Sequence, residues 1–143
     1  MGHLAHEAVT DAPLERVFDY MADSSHVPQW FYGVQRFEPL TELTRGLGSK
    51  YAISLNVGRT ITAKFECTEF IENELIGVHT FDGLRASSRW TFEPAGAGTR
   101  VRGEFDYTLP GGVAGAGLST LIKPVMSIAV KQTTANVLKY AGR

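Results

Sequence analysis

The stretch Lys50–Cys67, KYAISLNVGRTITAKFEC, decides the fold because apolar side chains recur at every second position over two consecutive runs. Successive side chains of a β-strand point to opposite faces, so a period of two indicates a strand with one covered and one wet face. The two runs therefore predict neighbouring antiparallel strands. Their apolar members are Tyr51, Ile53, Leu55 and Val57 in the first run, and Ile61, Ala63, Phe65 and Cys67 in the second.

Three later runs repeat the alternation and extend the predicted sheet. They are Ile76–Thr80, Ser88–Phe92 and Val101–Tyr107. Clusters of turn-forming residues separate the runs, at Asn73-Glu74, Asp82-Gly83 and Pro94–Gly98. Short connections of this kind join antiparallel strands directly.

Helical patterns are confined to the two ends of the chain. Leu4–Thr10 predicts a first strand, and Pro13 suits the first position of the helix that follows. A second short helix or turn is predicted at His26–Trp30, ended by Gly33. The apolar stripe of the first helix comprises Leu14, Val17, Phe18 and Met21.

Near the C-terminus, apolar residues at helical spacing predict one long helix, which Pro124 should kink or divide. Its apolar face comprises Leu118, Ile122, Val125, Met126, Ala129, Thr133 and Val137. The predicted order is one strand, two short helices, about six strands and the long helix. A curved antiparallel sheet wrapped around that helix would bury both apolar faces, which is an α+β fold.

Size and composition limit the classes of function. The 143 residues fit one domain, residues 1–143, and the formal charge of −1 with no basic, aromatic-interleaved run argues against a nucleic-acid partner. The single cysteine, Cys67, excludes an internal disulfide and a multi-cysteine zinc site. No signal peptide is visible, and Lys123 and Pro124 interrupt the most apolar window, Val113–Val130. We expect a soluble, cytoplasmic protein without stable membrane insertion.

The stretch Tyr107–Thr120, YTLPGGVAGAGLST, places four glycines between a predicted strand and a predicted helix. Glycine-rich turns at such junctions often hold phosphates. However, no lysine follows the last glycine as a P-loop requires, and Thr120 stands where a dinucleotide fingerprint has glycine or alanine. The segment is therefore a connector, or a mobile gate at the mouth of a cavity; the sequence leaves both open.

The titratable residues do not form a site that the sequence can identify. His3 and His6 should point to opposite faces of the first strand, and no group of ligands has metal spacing, so we expect neither a metal nor a cofactor. Cys67 falls in the inward set, where a small core residue is the simpler interpretation. The charged strand residues fall on the wet face, so acid/base catalysis has few candidates. These are Lys64, Glu66, Arg89, Arg102, Glu104 and Asp106.

The inward set does contain neutral polar side chains among aliphatic and aromatic ones. A few such groups in an apolar lining are typical of a small-molecule pocket, although a plain packed core is the alternative. The polar members are Tyr51, Thr80, Ser88, Trp90 and Tyr107.

Two sets of motifs resemble the START-like superfamily, which includes polyketide cyclases/dehydrases, birch-pollen-type allergens and lipid-transfer domains. The first is DAPLERVFDYMAD with VPQW shortly after it; the second is W-x-F-x-P at Trp90–Pro94 followed by GAGTRV. The resemblance spans nearly the whole chain. It implies the helix-grip fold, with a hydrophobic cavity between the bent sheet and the C-terminal helix.

The resulting functional hypothesis is a binding or transport protein for a small hydrophobic ligand, such as a lipid, a polyketide or an isoprenoid-like molecule. The predicted ligand-binding residues are Tyr51, Phe65, Ser88, Trp90, Phe105 and Tyr107 on the sheet, and Leu118, Ile122, Val125 and Met126 on the helix. A cyclase- or dehydratase-like enzyme is the alternative, using Tyr51, Tyr107 or an inward-facing His6. A third hypothesis is an interaction module that docks a partner through an exposed Trp30–Tyr32, unless Trp30 simply packs over the sheet. The sequence does not indicate the oligomeric state.

Overall fold

The computed structural model describes residues 2–31, 33–56, 60–83, 85–108, 131–133 and 135–140. The strands are β1 (Gly2–Thr10), β2 (Val34–Pro39), β3 (Lys50–Asn56), β4 (Thr60–Ile71), β5 (Leu75–Gly83), β6 (Arg85–Ala95) and β7 (Gly98–Thr108). Between β1 and β2 lie α1 (Leu14–Ala22), a 3₁₀-helix (Ser24–His26) and α2 (Val27–Trp30). Residues 131–133 and 135–140 are helical.

The strands form one curved antiparallel sheet in the order β1-β7-β6-β5-β4-β3-β2. Strands β2 to β7 therefore pair with their neighbours in the chain, whereas β1 pairs with the last strand. All six pairings are antiparallel, as the alternation predicted. Within Lys50–Cys67, Tyr51 lies opposite Phe65 and Ile53 opposite Ala63.

The covered and wet faces also follow the predicted alternation. Tyr51, Ile53, Ala63 and Cys67 are buried on the inner face. A β-bulge between Cys67 and Glu69 shifts the register of β4, so that the end of the strand continues the inner face at Phe70 rather than at an odd-numbered position.

The outer face carries the charged residues, largely as ion pairs between exposed side chains. Lys64 lies 3.8 Å from Asp82 and Arg89 lies 3.3 Å from Glu69. Arg102 Nε donates to Glu104 across 2.9 Å. Exposed pairs of this kind contribute little to stability, because solvent and salt screen them. The predicted solvent-facing pairing is confirmed for Lys64, Arg89, Arg102, Glu104 and Asp106, whereas Glu66 forms no ion pair among the described residues.

Helix α1 packs its predicted stripe against the inner face of the sheet. Val17, Phe18 and Met21 are buried, and Phe18 makes edge-on contacts with Phe70 and Phe92 at ring distances of 5.4 and 5.2 Å. Pro13 is the N-cap rather than the first helical residue, because its ψ of 148° is extended.

The segment between α1 and β3 was only partly predicted. The second helix is confirmed as the 3₁₀-helix together with α2, and Gly33 follows it with a φ of 86°. Strand β2 was not located from the sequence. Its residues are half-buried or exposed, and its register shifts between Val34 and Arg36, so it lacks a clean alternation.

The predicted C-terminal helix falls mainly on residues outside the described part of the chain, as does the glycine segment 111–117. Its described residues agree with the predicted apolar face, because Thr133 and Val137 are buried. Asn136 Nδ2 donates to the Trp30 carbonyl across 3.3 Å and links this helix to α2. No helix within the described residues is long and apolar enough to cross a membrane.

Candidate functional site

A cavity lies between the inner face of the sheet and the two helices α1 and α2. Its volume is about 160 Å³. This is close to the roughly 150 Å³ of an apolar cavity that binds benzene, and it is below the roughly 300 to 1,000 Å³ of pockets for larger ligands. The space lined by the described residues is therefore large enough for a small organic molecule.

Five of the predicted ligand-binding residues line this cavity: Tyr51, Phe65, Ser88, Trp90 and Phe105. They come from four strands, and the sheet brings them onto one inner face because all of them belong to the inward set.

Tyr107 lies on the same face and is buried, but it is not among the cavity-lining residues. The four predicted helix residues lie outside the described part of the chain: Leu118, Ile122, Val125 and Met126.

Aromatic rings form two opposing groups in the lining. On the β2–β4 side, Phe37 stacks on Tyr51 at 5.0 Å and contacts Phe65 at 5.9 Å. On the other side, Trp90 meets both Phe105 and Trp30 edge-on, at 5.6 and 5.5 Å. Such contacts hold the rings in fixed orientations and leave their remaining faces available to a ligand.

Sequence reasoning missed several lining residues, chiefly Trp30, Phe31, Phe37 and Phe70. Phe37 was missed with its strand, and Phe70 because the bulge in β4 shifts it to the inner face. The docking hypothesis for Trp30 is wrong and its alternative is confirmed: Trp30 is only 5% exposed and packs against Trp90 on the sheet. The sequence signal for the burial of Trp30 was the predicted short helix His26–Trp30, because a helix next to a sheet buries its apolar side chains against that sheet.

Most polar groups of the lining already have partners. The Tyr51 hydroxyl donates to the Thr44 carbonyl at 2.6 Å, and Thr80 Oγ1 accepts from the Ala86 amide at 2.9 Å. By contrast, the structure gives the Ser88 hydroxyl no hydrogen bond among the described residues. The indole nitrogen of Trp30 is buried and likewise lacks a partner. Ser88 is therefore a polar group on the cavity wall that remains open to a ligand.

Charged side chains are absent from the described part of the lining, whose titratable groups are Tyr51 and Cys67. Burial raises the pKa of the Cys67 thiol, whose sulfur lies 3.4 Å from the Glu69 carbonyl. A thiol held neutral in this way is a poor nucleophile. The lining thus favours binding of neutral apolar molecules over acid/base chemistry.

The histidines of β1 point to opposite faces, as predicted. His3 is exposed and pairs with Asp106 across 2.6 Å. His6 faces inward beside Leu4, and its Nδ1 is buried without a hydrogen-bond partner among the described residues, although His6 is not part of the described cavity lining. Among the described residues, no group of three His, Cys, Asp or Glu side chains is placed to hold a metal ion.

Comparison with protein families identifies the group to which this architecture corresponds. A family profile described as polyketide cyclase / dehydrase and lipid transport matches residues 1–142. The chain belongs to this family. The START-like resemblance found in the sequence is thereby confirmed. A search of curated proteins finds no match.

Solved structures show the same fold in proteins of low sequence identity. The protein TTHA0849 from Thermus thermophilus is 21% identical with a TM-score of 0.85, over 98% of this chain and 97% of that one. A START superfamily protein from Mycobacterium smegmatis is 14% identical with a TM-score of 0.76, over 97% and 96%. The di-domain ARO/CYC StfQ of the steffimycin biosynthetic pathway is 21% identical with a TM-score of 0.68, over 98% of this chain and 44% of that one.

Proposed function

We propose that this member of the polyketide cyclase / dehydrase and lipid transport family binds and carries a small, neutral, hydrophobic ligand in the cavity. The observation that carries the proposal is the lining itself, which is aromatic and aliphatic, with no charged side chain among its described residues. Burying about 200 Å² of apolar ligand surface contributes about 5 kcal/mol before the entropic costs of binding are deducted.

The Ser88 hydroxyl is proposed to orient the polar end of the ligand. It lies on β6 opposite Phe105, next to the edge-on aromatic pair formed by Trp90 and Phe105. One hydrogen bond to a ligand is worth about 0.5–1.5 kcal/mol, so Ser88→Ala should weaken binding of an acceptor-bearing ligand roughly two- to tenfold. Ser88→Leu should weaken it further, because the larger side chain also enters the cavity.

The proposal is tested by native mass spectrometry of the purified protein, looking for a bound apolar molecule, and by titration with the neutral fluorophore N-phenyl-1-naphthylamine. Ala63→Leu fills the lining and should reduce fluorophore binding at least severalfold. Ala52→Leu is the matched control, because Ala52 lies on the adjacent strand and faces outward. Equal binding by both variants and the unmodified protein would exclude the cavity as the binding site.

A cyclase- or dehydratase-like activity is the second candidate, and the inward-facing His6 is the observation that favours it. Its Nδ1 is buried on the inner face without a hydrogen-bond partner among the described residues, and since His6 lies outside the described lining, the activity requires a substrate that reaches beyond that lining. The activity predicts turnover of a poly-β-keto thioester that His6→Gln abolishes while fluorophore binding persists. Equal turnover by His6→Gln and the unmodified protein would remove His6 from any such reaction.

A further inference from the structure

The loop between β2 and β3, residues 40–49, forms part of the cavity wall. Gly46 and Ser49 line the cavity from within. A Cβ at Gly46 would lie 3.9 Å from Phe70 Cδ1, so the loop backbone rests directly on the lining. Leu43 and Leu47 are 50% and 63% exposed on the outside. The loop thus has the cavity on one side and water on the other.

The two halves of this loop are attached in different ways. The Gly48 amide donates to the Cys67 carbonyl, and the Cys67 amide donates to the Ser49 carbonyl, each across 2.9 Å. These bonds join the second half to β4. Among the described residues, no backbone–backbone hydrogen bond ties residues 41–45 to the rest of the protein. That half is held mainly by side chains.

Arg45 holds the first half from the outside. One of its guanidinium nitrogens lies 3.0 Å from Asp19 Oδ1 on α1 and 3.0 Å from Glu72 Oε1 in the turn between β4 and β5. Its Cζ also lies 5.7 Å from the Phe18 ring and 5.8 Å from the Phe70 ring. The side chain is 38% exposed, so salt can screen these pairs.

Tyr51 holds the same half from inside. Its hydroxyl donates to the Thr44 carbonyl from a ring that forms part of the cavity wall. This hydrogen bond therefore joins the loop directly to a side chain of the cavity wall.

We propose that residues 41–46 form a lid over the cavity, fastened by Arg45 from outside and by Tyr51 from inside, and that ligand enters and leaves beneath it. The role in ligand exchange rests on the proposed function. Opening of the lid does not rest on the proposed function, because it is measured on the ligand-free protein.

The rate at which a thiol reagent labels the single cysteine, Cys67, measures how often the lid opens. Cys67 lines the cavity beside Ser49 and is only 4% exposed, so the small neutral reagent N-ethylmaleimide reaches it when the lid opens. Arg45→Gln removes two ion pairs and two cation–π contacts, and we expect labelling to accelerate about three- to thirtyfold. Glu72→Gln removes one pair in an exposed turn and should give a smaller acceleration, which keeps the test usable if Arg45→Gln fails to fold.

Arg102→Gln is the control, because it breaks ion pairs of similar exposure on the outer face of β1 and β7, at the edge of the sheet opposite to β2 and β3. Raising the salt concentration to about 1 M should accelerate labelling of the unmodified protein but not of Arg45→Gln. Labelling at the unmodified rate in both Arg45→Gln and Glu72→Gln, or equal acceleration in Arg102→Gln, would overturn the lid.

Dissociation of N-phenyl-1-naphthylamine separates this inference from the proposed function. Faster thiol labelling with faster dissociation in Arg45→Gln supports both. Faster labelling with unchanged dissociation overturns the exchange route while the cavity remains the binding site. Faster labelling in a protein that binds no apolar probe refutes the proposed function and leaves the opening of the loop established.

Discussion

Gly103 gives the most direct test of how the cavity wall is built. A Cβ at this position would lie 2.7, 2.8 and 3.0 Å from three atoms of the six-membered ring of Trp90. In Gly103→Ala the ring must therefore withdraw by about 0.7 Å to restore an ordinary separation of 3.4 Å. It cannot do so freely, because Trp90 is 3% exposed and lies edge-on against Trp30 and Phe105.

Overpacking of this kind lowers the free energy of unfolding by about 1–3 kcal/mol. Replacing glycine also makes the unfolded chain less flexible, which offsets about 0.4–1 kcal/mol of that loss. We expect a net loss of about 1–2 kcal/mol in the free energy of unfolding, measured by urea denaturation as a fall in midpoint of roughly 0.5–1 M. Displacement of the indole should also weaken binding of N-phenyl-1-naphthylamine.

Gly77→Ala is the matched control. Its Cβ would meet Glu69 at 2.8 Å on the outer face, so stability should fall while ligand binding stays unchanged. In a double-mutant cycle, Gly103→Ala should cost about 1 kcal/mol less in a Trp90→Phe background, where the shorter ring relieves the contact. An additive cycle with unaltered ligand binding would show that the packing of Trp90 on Gly103 does not shape the cavity.

Two further predictions concern stability. Asp23 caps the 3₁₀-helix by accepting from the Ser25 amide, and the hydrogen bond from the Ser25 side chain holds its carboxyl pKa below the ordinary value. Because a depressed pKa stabilises the fold only above the unfolded-state pKa, Asp23→Ala should cost about 1 kcal/mol at pH 7 and less at pH 3; an equal loss at both pH values would contradict this. Gly98→Ala should lower the free energy of unfolding by at least about 3 kcal/mol, because its Cβ would lie 2.0 Å from the Thr10 carbonyl oxygen. In the control Gly96→Ala, the Cβ has no atom within 4 Å, so only the φ of 62° is unfavourable and the loss should be about 1 kcal/mol. Similar unfolding midpoints for the two variants would refute the clash.

The parts of the fold that were predicted are those in which a single physical pattern dominates. Alternation in β3 and β4 reports burial directly, because one face of an antiparallel strand is covered and the other is wet. The same reasoning placed Tyr51, Phe65 and Ser88 on a common inner face. It was unable to distinguish a packed core from a cavity, since both require the same inward side chains.

The parts that were missed depend on irregularities that the sequence does not mark. The bulge in β4 brings Phe70 to the inner face, and a strict period of two predicts the opposite. Strand β2 is short and shifted in register, so Phe37 was missed although it stacks on Tyr51. The role of Arg45 depends on Asp19 and Glu72, which lie on other elements and converge only in three dimensions.

The pairing of β1 with β7 has a consequence for synthesis of the chain. His3 and Asp106, which meet across this pairing, are 103 residues apart. Strands β2 to β7 can pair as hairpins while they leave the ribosome, whereas β1 waits for β7, roughly 5 to 20 s at ordinary translation rates. Strand β1 is thus made before the other strands of this sheet but pairs only after β7 has been made. Glu7, exposed in the middle of β1, places a charge where it discourages association between nascent chains during that interval.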